Sequence, residues 1–95
     1  MNIVSWESQD RDGNPRRTKL HVTIDGLHAV CNTLGRRMPD DIIIETRSDR
    51  PWQEQVTCYN CAYRLAIRGK LGDYEAPRNG SDFPLRRRMV ASYDP

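Results

Sequence analysis

The sequence predicts a small α+β domain in which an antiparallel sheet of about four strands is followed by one short helix. Three observations carry that expectation. Asp25-Gly26 stands between two β-rich runs, Thr18–Ile24 and Leu27–Cys31, and Asp-Gly in that setting is among the strongest short-range hairpin signals. Val56-Thr57-Cys58-Tyr59-Asn60-Cys61 sets two thiols three residues apart, where an extended segment gives way to a helix. The core must also be thin. Of 95 residues, 37% are hydrophobic and 29% charged, with a mean hydropathy of −0.81, and so small and polar a domain needs a metal, disulfides or a partner to hold it.

Each element has a local cause. Residues 2–7 (Asn2-Ile3-Val4-Ser5-Trp6-Glu7) alternate loosely and read as a first strand. Gln9–Arg17 carries Gly13 and Pro15 at its centre, a turn signal. Thr18–Ile24 places Leu20, Val22 and Ile24 on one face as the first arm of the hairpin, and Leu27–Cys31 is the second. The turn-rich stretch Asn32–Asp41 leads to Ile42-Ile43-Ile44-Glu45-Thr46, the most apolar run, which reads as a buried or edge strand. A charged loop, Arg47–Gln53, follows, and Glu54–Thr57 extends again to deliver the chain to Cys58. Ala62–Arg68 is the helix, with Asn60 as its N-cap and Gly69 as its stop. These elements make a domain of residues 1–70. From Leu71 no period of 2 or 3.6 survives, and residues 71–95 are expected as an irregular tail. Its Phe83, Leu85, Met89 and Val90 would pack on the domain or on a partner.

Composition narrows the function classes. The net charge is +2, from 15 Lys and Arg against 13 Asp and Glu. That is mildly basic, short of the footprint of a dedicated nucleic-acid binder. Three cysteines cannot all pair with one another, so a secreted disulfide framework is a poor fit. Neither an N-terminal apolar segment nor a run of about 18 apolar residues is present, so export and membrane spanning are not expected. A reducing, cytoplasmic setting is the default.

The chain's three Cys and two His form a candidate metal constellation. Zinc takes Cys thiolates and His imidazoles, four at a time in structural sites, often from pairs two to four residues apart. Cys58 and Cys61 are one such pair, Cys31 is the third thiol, and His21 or His28 can complete a Cys3His site. Spacing favours His28, since His28-x2-Cys31 repeats the spacing of Cys58-x2-Cys61. Hairpin geometry favours His21. A two-residue Asp25-Gly26 loop sets His21 and Cys31 on opposite faces of the ribbon. A three-residue loop with Gly26 at the bulge pairs Thr23 with Leu27 and His21 with Ala29. His21, Ala29 and Cys31 then share a face, and His28 points away.

The pattern Leu20-His21-Val22-Thr23-Ile24-Asp25-Gly26, then Ala29-Val30-Cys31, then Val56-Thr57-Cys58-x2-Cys61, resembles a group of small uncharacterised zinc-binding proteins. These occur in actinobacteria and their phages and share a His followed ten residues later by a Cys, with a later Thr-Cys-x2-Cys. The resemblance covers roughly residues 19–66. It implies His21, Cys31, Cys58 and Cys61 as ligands and leaves His28 outside. Asn32 departs from the Gly usual in that group, and 26 residues separate Cys31 from Cys58, a longer gap than its pattern has.

The expected function is that of a non-enzymatic zinc protein, an interaction module of phage type that binds and modulates a host protein. Ile42-Ile43-Ile44 as an exposed edge and the apolar residues of the tail are its candidate contacts. The alternative is a nucleic-acid-binding zinc ribbon or knuckle using Arg64, Arg68 and Lys70 on and after the helix, with Arg86, Arg87 and Arg88 beyond. A thioredoxin-like dithiol oxidoreductase ranks third, because Cys-x2-Cys in such enzymes lies near a βαβ unit and the elements before Cys58 read as antiparallel strands. No other catalytic set stands out: Asp40 and Asp41 lie in turn-like sequence, and Gly69-x2-Gly72 lacks the Lys-Ser/Thr ending of a phosphate loop.

Overall fold

The computed structural model describes residues 1–32 and 35–88. Among these residues, five strands form two antiparallel sheets beside one α-helix. Central to the larger sheet is β1 (Asn2–Ser5), which pairs on one side with β4 (His21–Thr23) and on the other with β5 (Ile43–Ile44). Ile3 lies opposite Val22, and Val4 lies opposite both His21 and Ile44. Because side chains alternate along a strand, Ile3 and Val4 enter different clusters. Ile3 and Val22 pack with Val56, Cys58, Cys61, Ala62, Leu65, Leu71, Tyr74 and Leu85, whereas Val4 packs with Ala29 and Met38.

The first expected strand is split at Trp6. After β1, the chain forms β2 (Glu7–Gln9), which pairs with β3 (Pro15–Arg17) as a separate exposed ribbon. Asp10 closes this ribbon: its Oδ1 accepts the backbone N–H groups of Asp12 and Asn14 at 2.9 Å each, and Gly13 takes φ +80°. The turn signal is therefore the tip of a hairpin whose arms include Pro15, Arg16 and Arg17.

The Asp25-Gly26 turn differs from expectation. Leu27–Cys31 is not a strand. The pairing is a single antiparallel bridge between Thr23 and Ala29, with Val30 N–H donating to the Val22 carbonyl at 2.8 Å. The intervening loop, 24–28, is longer than either expected turn because side chains capture its backbone. Asp25 Oδ1 accepts the Leu27 and His28 N–H groups at 2.8 Å each, and Thr23 Oγ1 donates to the His28 carbonyl at 2.7 Å. Gly26, at φ +77°, supplies the one backbone angle an L side chain resists.

β5 is an edge strand with Ile43 and Ile44 exposed, while Ile42 packs against the Val4 cluster. The loop after it is tied down by buried Gln55, whose Oε1 accepts Arg47 N–H and whose Nε2 donates to the Arg47 and Arg50 carbonyls. Glu54 is not extended; it ends a 3-10 turn, Trp52–Glu54. The helix α1 (Tyr59–Ile67) begins three residues earlier than expected, with Cys58 rather than Asn60 at the N-cap. It stops at Gly69 (φ +68°), where Gly69 N–H meets the Ala66 carbonyl and Lys70 N–H the Leu65 carbonyl, the paired bonds of a Schellman ending.

Beyond α1, Leu71, Tyr74 and Leu85 are buried in the Ile3 cluster, and Phe83 packs against it. Residues 73–75 run beside 86–88, joined by Glu75 N–H to the Arg86 carbonyl and Arg88 N–H to the Asp73 carbonyl. Met89 and Val90, the other expected anchors, lie outside the described residues. Among the described residues, no helix is long and apolar enough to cross a membrane.

Leu65 is fully buried on the inner face of α1, whereas Ile67 is 68% exposed. Leu65→Ala should cost roughly 2–5 kcal/mol in chemical denaturation, and Ile67→Ala should stay within about 0.5 kcal/mol. Equal effects would contradict this orientation of the helix.

Candidate metal centre

Three segments converge on one point. β4 brings His21, the segment after the 24–28 loop brings Cys31, and the N-terminus of α1 brings Cys58 and Cys61. One ligand atom from each of the four lies within 4.8 Å of the others. His21 Nδ1 is 3.4 Å from Cys31 Sγ and 3.6 Å from Cys61 Sγ. A tetrahedral ion with metal–sulfur bonds of about 2.3 Å and metal–nitrogen bonds of about 2.0–2.1 Å holds S and N about 3.5 Å apart. The two distances match that separation. All three cysteines are free thiols.

The register explains why His21 and Cys31 meet. Continuing the Thr23–Ala29 pairing two residues along each strand sets His21 across from Cys31. Neither expected turn gives this register, but it differs from the bulged one by two residues on the second strand and so preserves the same face. Cys31 sits where the two apolar clusters meet, packing against both. His28 stands apart: its Nδ1 pairs with Asp25 Oδ2 at 2.7 Å.

Cys58 is placed by backbone and hydroxyl bonds to the residue before His21. Leu20 N–H donates to Thr57 Oγ1 at 2.8 Å, and the Leu20 carbonyl accepts Thr57 N–H at 3.0 Å and Cys58 N–H at 3.1 Å. Three bonds thus fix the approach of α1 to β4. Trp6 stacks on the His21 ring with centroids 4.6 Å apart and planes at 15°, which holds the imidazole's orientation. Sequence reasoning missed both devices. Thr57 beside the knuckle was the only local signal; the Trp6 contact depends on the β1–β4 pairing and has none.

Electrostatically, the sulfurs cannot all ionise unaided. Cys58 is held down to about 4, first by its hydrogen bond with the Cys61 thiol and further by His21. The Cys61 amide also lowers it, though outside the geometry of a helix-capping hydrogen bond. Cys61 is pushed well above the usual thiol range by Cys58 and by burial, although the Val22 amide offsets part of this. Burial raises Cys31, with the negative charge of Cys58 adding to it. One thiolate beside two reluctant thiols is a site that a cation relieves, because a bound metal stabilises every thiolate at once.

The expected basic residues fall in two places. Arg64 lies in the last turn of α1, Arg68 is its C-cap, and Lys70 is the last residue of the Schellman ending. Arg86 pairs with Asp82 at 3.4 Å. Arg87 donates to the Tyr74 hydroxyl at 3.2 Å and covers its ring, and that hydroxyl in turn donates to Glu54. Arg88 is held through its backbone at Asp73.

The fold and this cluster define a small α+β protein with a four-donor His/Cys3 site that can hold a metal ion. No protein-family model, curated protein or solved structure matches the chain.

Groups that orient a metal-ligating imidazole commonly govern affinity by about 10–100-fold. Trp6→Leu should therefore weaken divalent-metal binding by at least about 10-fold in competition with a chromophoric chelator. Unchanged affinity would remove Trp6 from the support of His21.

Proposed function

We propose that this is a non-enzymatic zinc protein whose Cys3His site is structural and whose work is done by presenting its surface to a macromolecular partner. The observation carrying the metal assignment is the match between the His21–Cys31 and His21–Cys61 separations and a tetrahedral site. Three thiolates and one imidazole favour zinc over hard cations, which take oxygen ligands. Four protein donors also close the coordination sphere, whereas a catalytic zinc keeps a position open for water or substrate. The exposed edge of β5 and the outer face of α1 are the surfaces such a scaffold offers. The likeness to zinc-binding proteins of actinobacteria and their phages fits this reading, with a host macromolecule as the partner.

One observation favours dithiol chemistry: the lowered Cys58 thiol at the start of a helix. Geometry works against it. Cys58 and Cys61 are buried with His21 and Cys31 close against them, and among the described residues every strand pairing is antiparallel rather than βαβ. A disulfide-reduction assay with the folded, metal-loaded protein should show no turnover dependent on Cys58.

The purified protein should contain one zinc per chain, and a strong chelator at neutral pH should collapse its far-UV circular dichroism and melting transition. Site zinc in small domains contributes on the order of 10 kcal/mol to folding, so the loss should be cooperative. His21→Ala should abolish stoichiometric zinc and His28→Ala should retain it; the reverse outcome would move the fourth ligand to His28.

Acidification should release the metal. Protons compete for the thiolates, and Cys31 and Cys61 in particular need the cation to ionise near neutrality. Stability of the loaded protein should thus be full at neutral pH and fall as pH falls. A melting temperature flat from pH 7.5 to about pH 5 would contradict thiolate ligation.

A further inference from the structure

α1 turns Cys61, Ala62 and Leu65 inward and carries a different chemistry outside. Tyr59 and Tyr63, one turn apart, stack with ring centroids 5.7 Å apart and planes at 16°. Tyr63 is 45% exposed and Ile67 beyond it 68%. Tyr63, Arg64, Ile67 and Arg68 line an open groove of about 450 Å³.

Charge here is one-sided. From Gln55 to Gly72 the sequence holds Arg64, Arg68 and Lys70 and no acid, although the chain as a whole nearly balances 15 bases with 13 acids. Several cations elsewhere are engaged: Arg17 with Glu45, Arg47 with Asp49, Arg86 with Asp82, Arg87 with Tyr74. Among the described residues, Arg64, Arg68 and Lys70 form no ion pair. An exposed ring, backed by a second tyrosine and followed by unneutralised arginines, is a combination that suits single strands, because every base has a face to stack and every linkage a charge to neutralise.

We propose that the outer face of α1 binds single-stranded nucleic acid, with Tyr63, backed by Tyr59, stacking on a base and Arg64 and Arg68 contacting successive phosphates on one side of that base. The two arginines stand about one turn apart, about 6 Å along the helix axis, both on the C-terminal side of the tyrosine. A duplex hides its base faces and has no use for the platform. An acidic protein segment would use the arginines but not the exposed ring, so Tyr63 separates those partners. The inference rests on the zinc-held scaffold, because the metal anchors the N-terminus of α1.

The test uses the full chain, with zinc content and circular dichroism measured on every sample. Fluorescence anisotropy follows binding of a labelled single strand of about twelve uridines or thymidines, a length within the usual site sizes. The single strand should bind better than a matched duplex. Raising salt from about 50 to 200 mM should weaken binding roughly ten-fold, as two to three phosphate contacts require. Arg64→Ala with Arg68→Ala should lower affinity by a further factor of about ten, and Tyr63→Ala by several-fold, with Tyr63→Phe close to wild type and Arg86→Ala without effect. The proposal is overturned if the folded, zinc-loaded protein ignores the single strand, if duplex binds as tightly, or if Tyr63→Ala binds like wild type. It is equally overturned if polyglutamate binds through the arginines independently of Tyr63, which would make an acidic protein the partner. Binding that persists in folded protein without zinc would instead sink the scaffold and leave the surface standing.

Discussion

Holding one imidazole and three sulfurs within 4.8 Å is the constraint on which this fold depends. The donors come from three separated segments, and closing those loops costs entropy that the thin core is poorly placed to offset. The sulfurs also oppose one another, since a thiolate at Cys58 raises the cost of ionising Cys31 and Cys61. A cation answers both problems, tying the segments and neutralising the charge. The apolar clusters on the two faces of the sheet meet at Cys31, beside the same point.

The neighbouring structure prepares that point. Leu20, Thr57 and the Cys58 amide lock the approach of α1 to β4, and Trp6 holds the His21 ring. Tyr74 and Leu85 pack in the same cluster as Cys58 and Cys61, so a segment that forms no helix or strand among the described residues contributes core. The inner face of α1 is spent on this packing, while its outer face carries stacked tyrosines and arginines that form no ion pair among the described residues. Substitutions on the outer face should therefore leave the inner packing intact.

Much of the site was legible because ligand chemistry is local in type and side-chain alternation is robust. His21 and Cys31 share a face in the expected bulged register and in the observed one, since a shift of two residues preserves orientation. The turn itself was misread. Asp25 and Thr23 bind the loop backbone through their side chains, replacing a tight hairpin with a longer loop that Asp-Gly alone does not specify. Cys58 rather than Asn60 begins the helix, which places both knuckle cysteines at its N-terminus. The Trp6–His21 stack and the burial of Leu71, Tyr74 and Leu85 had no periodic signal, because they arise from contacts between distant segments.

X-ray absorption at the zinc edge of the purified, folded protein tests the central claim most directly. The account predicts a four-coordinate ion with three sulfurs at about 2.3 Å and one nitrogen at about 2.0–2.1 Å, with that shell lost and no stoichiometric metal retained in His21→Ala. A first shell of oxygen and nitrogen, or a three-sulfur, one-nitrogen shell left intact by His21→Ala, would contradict it.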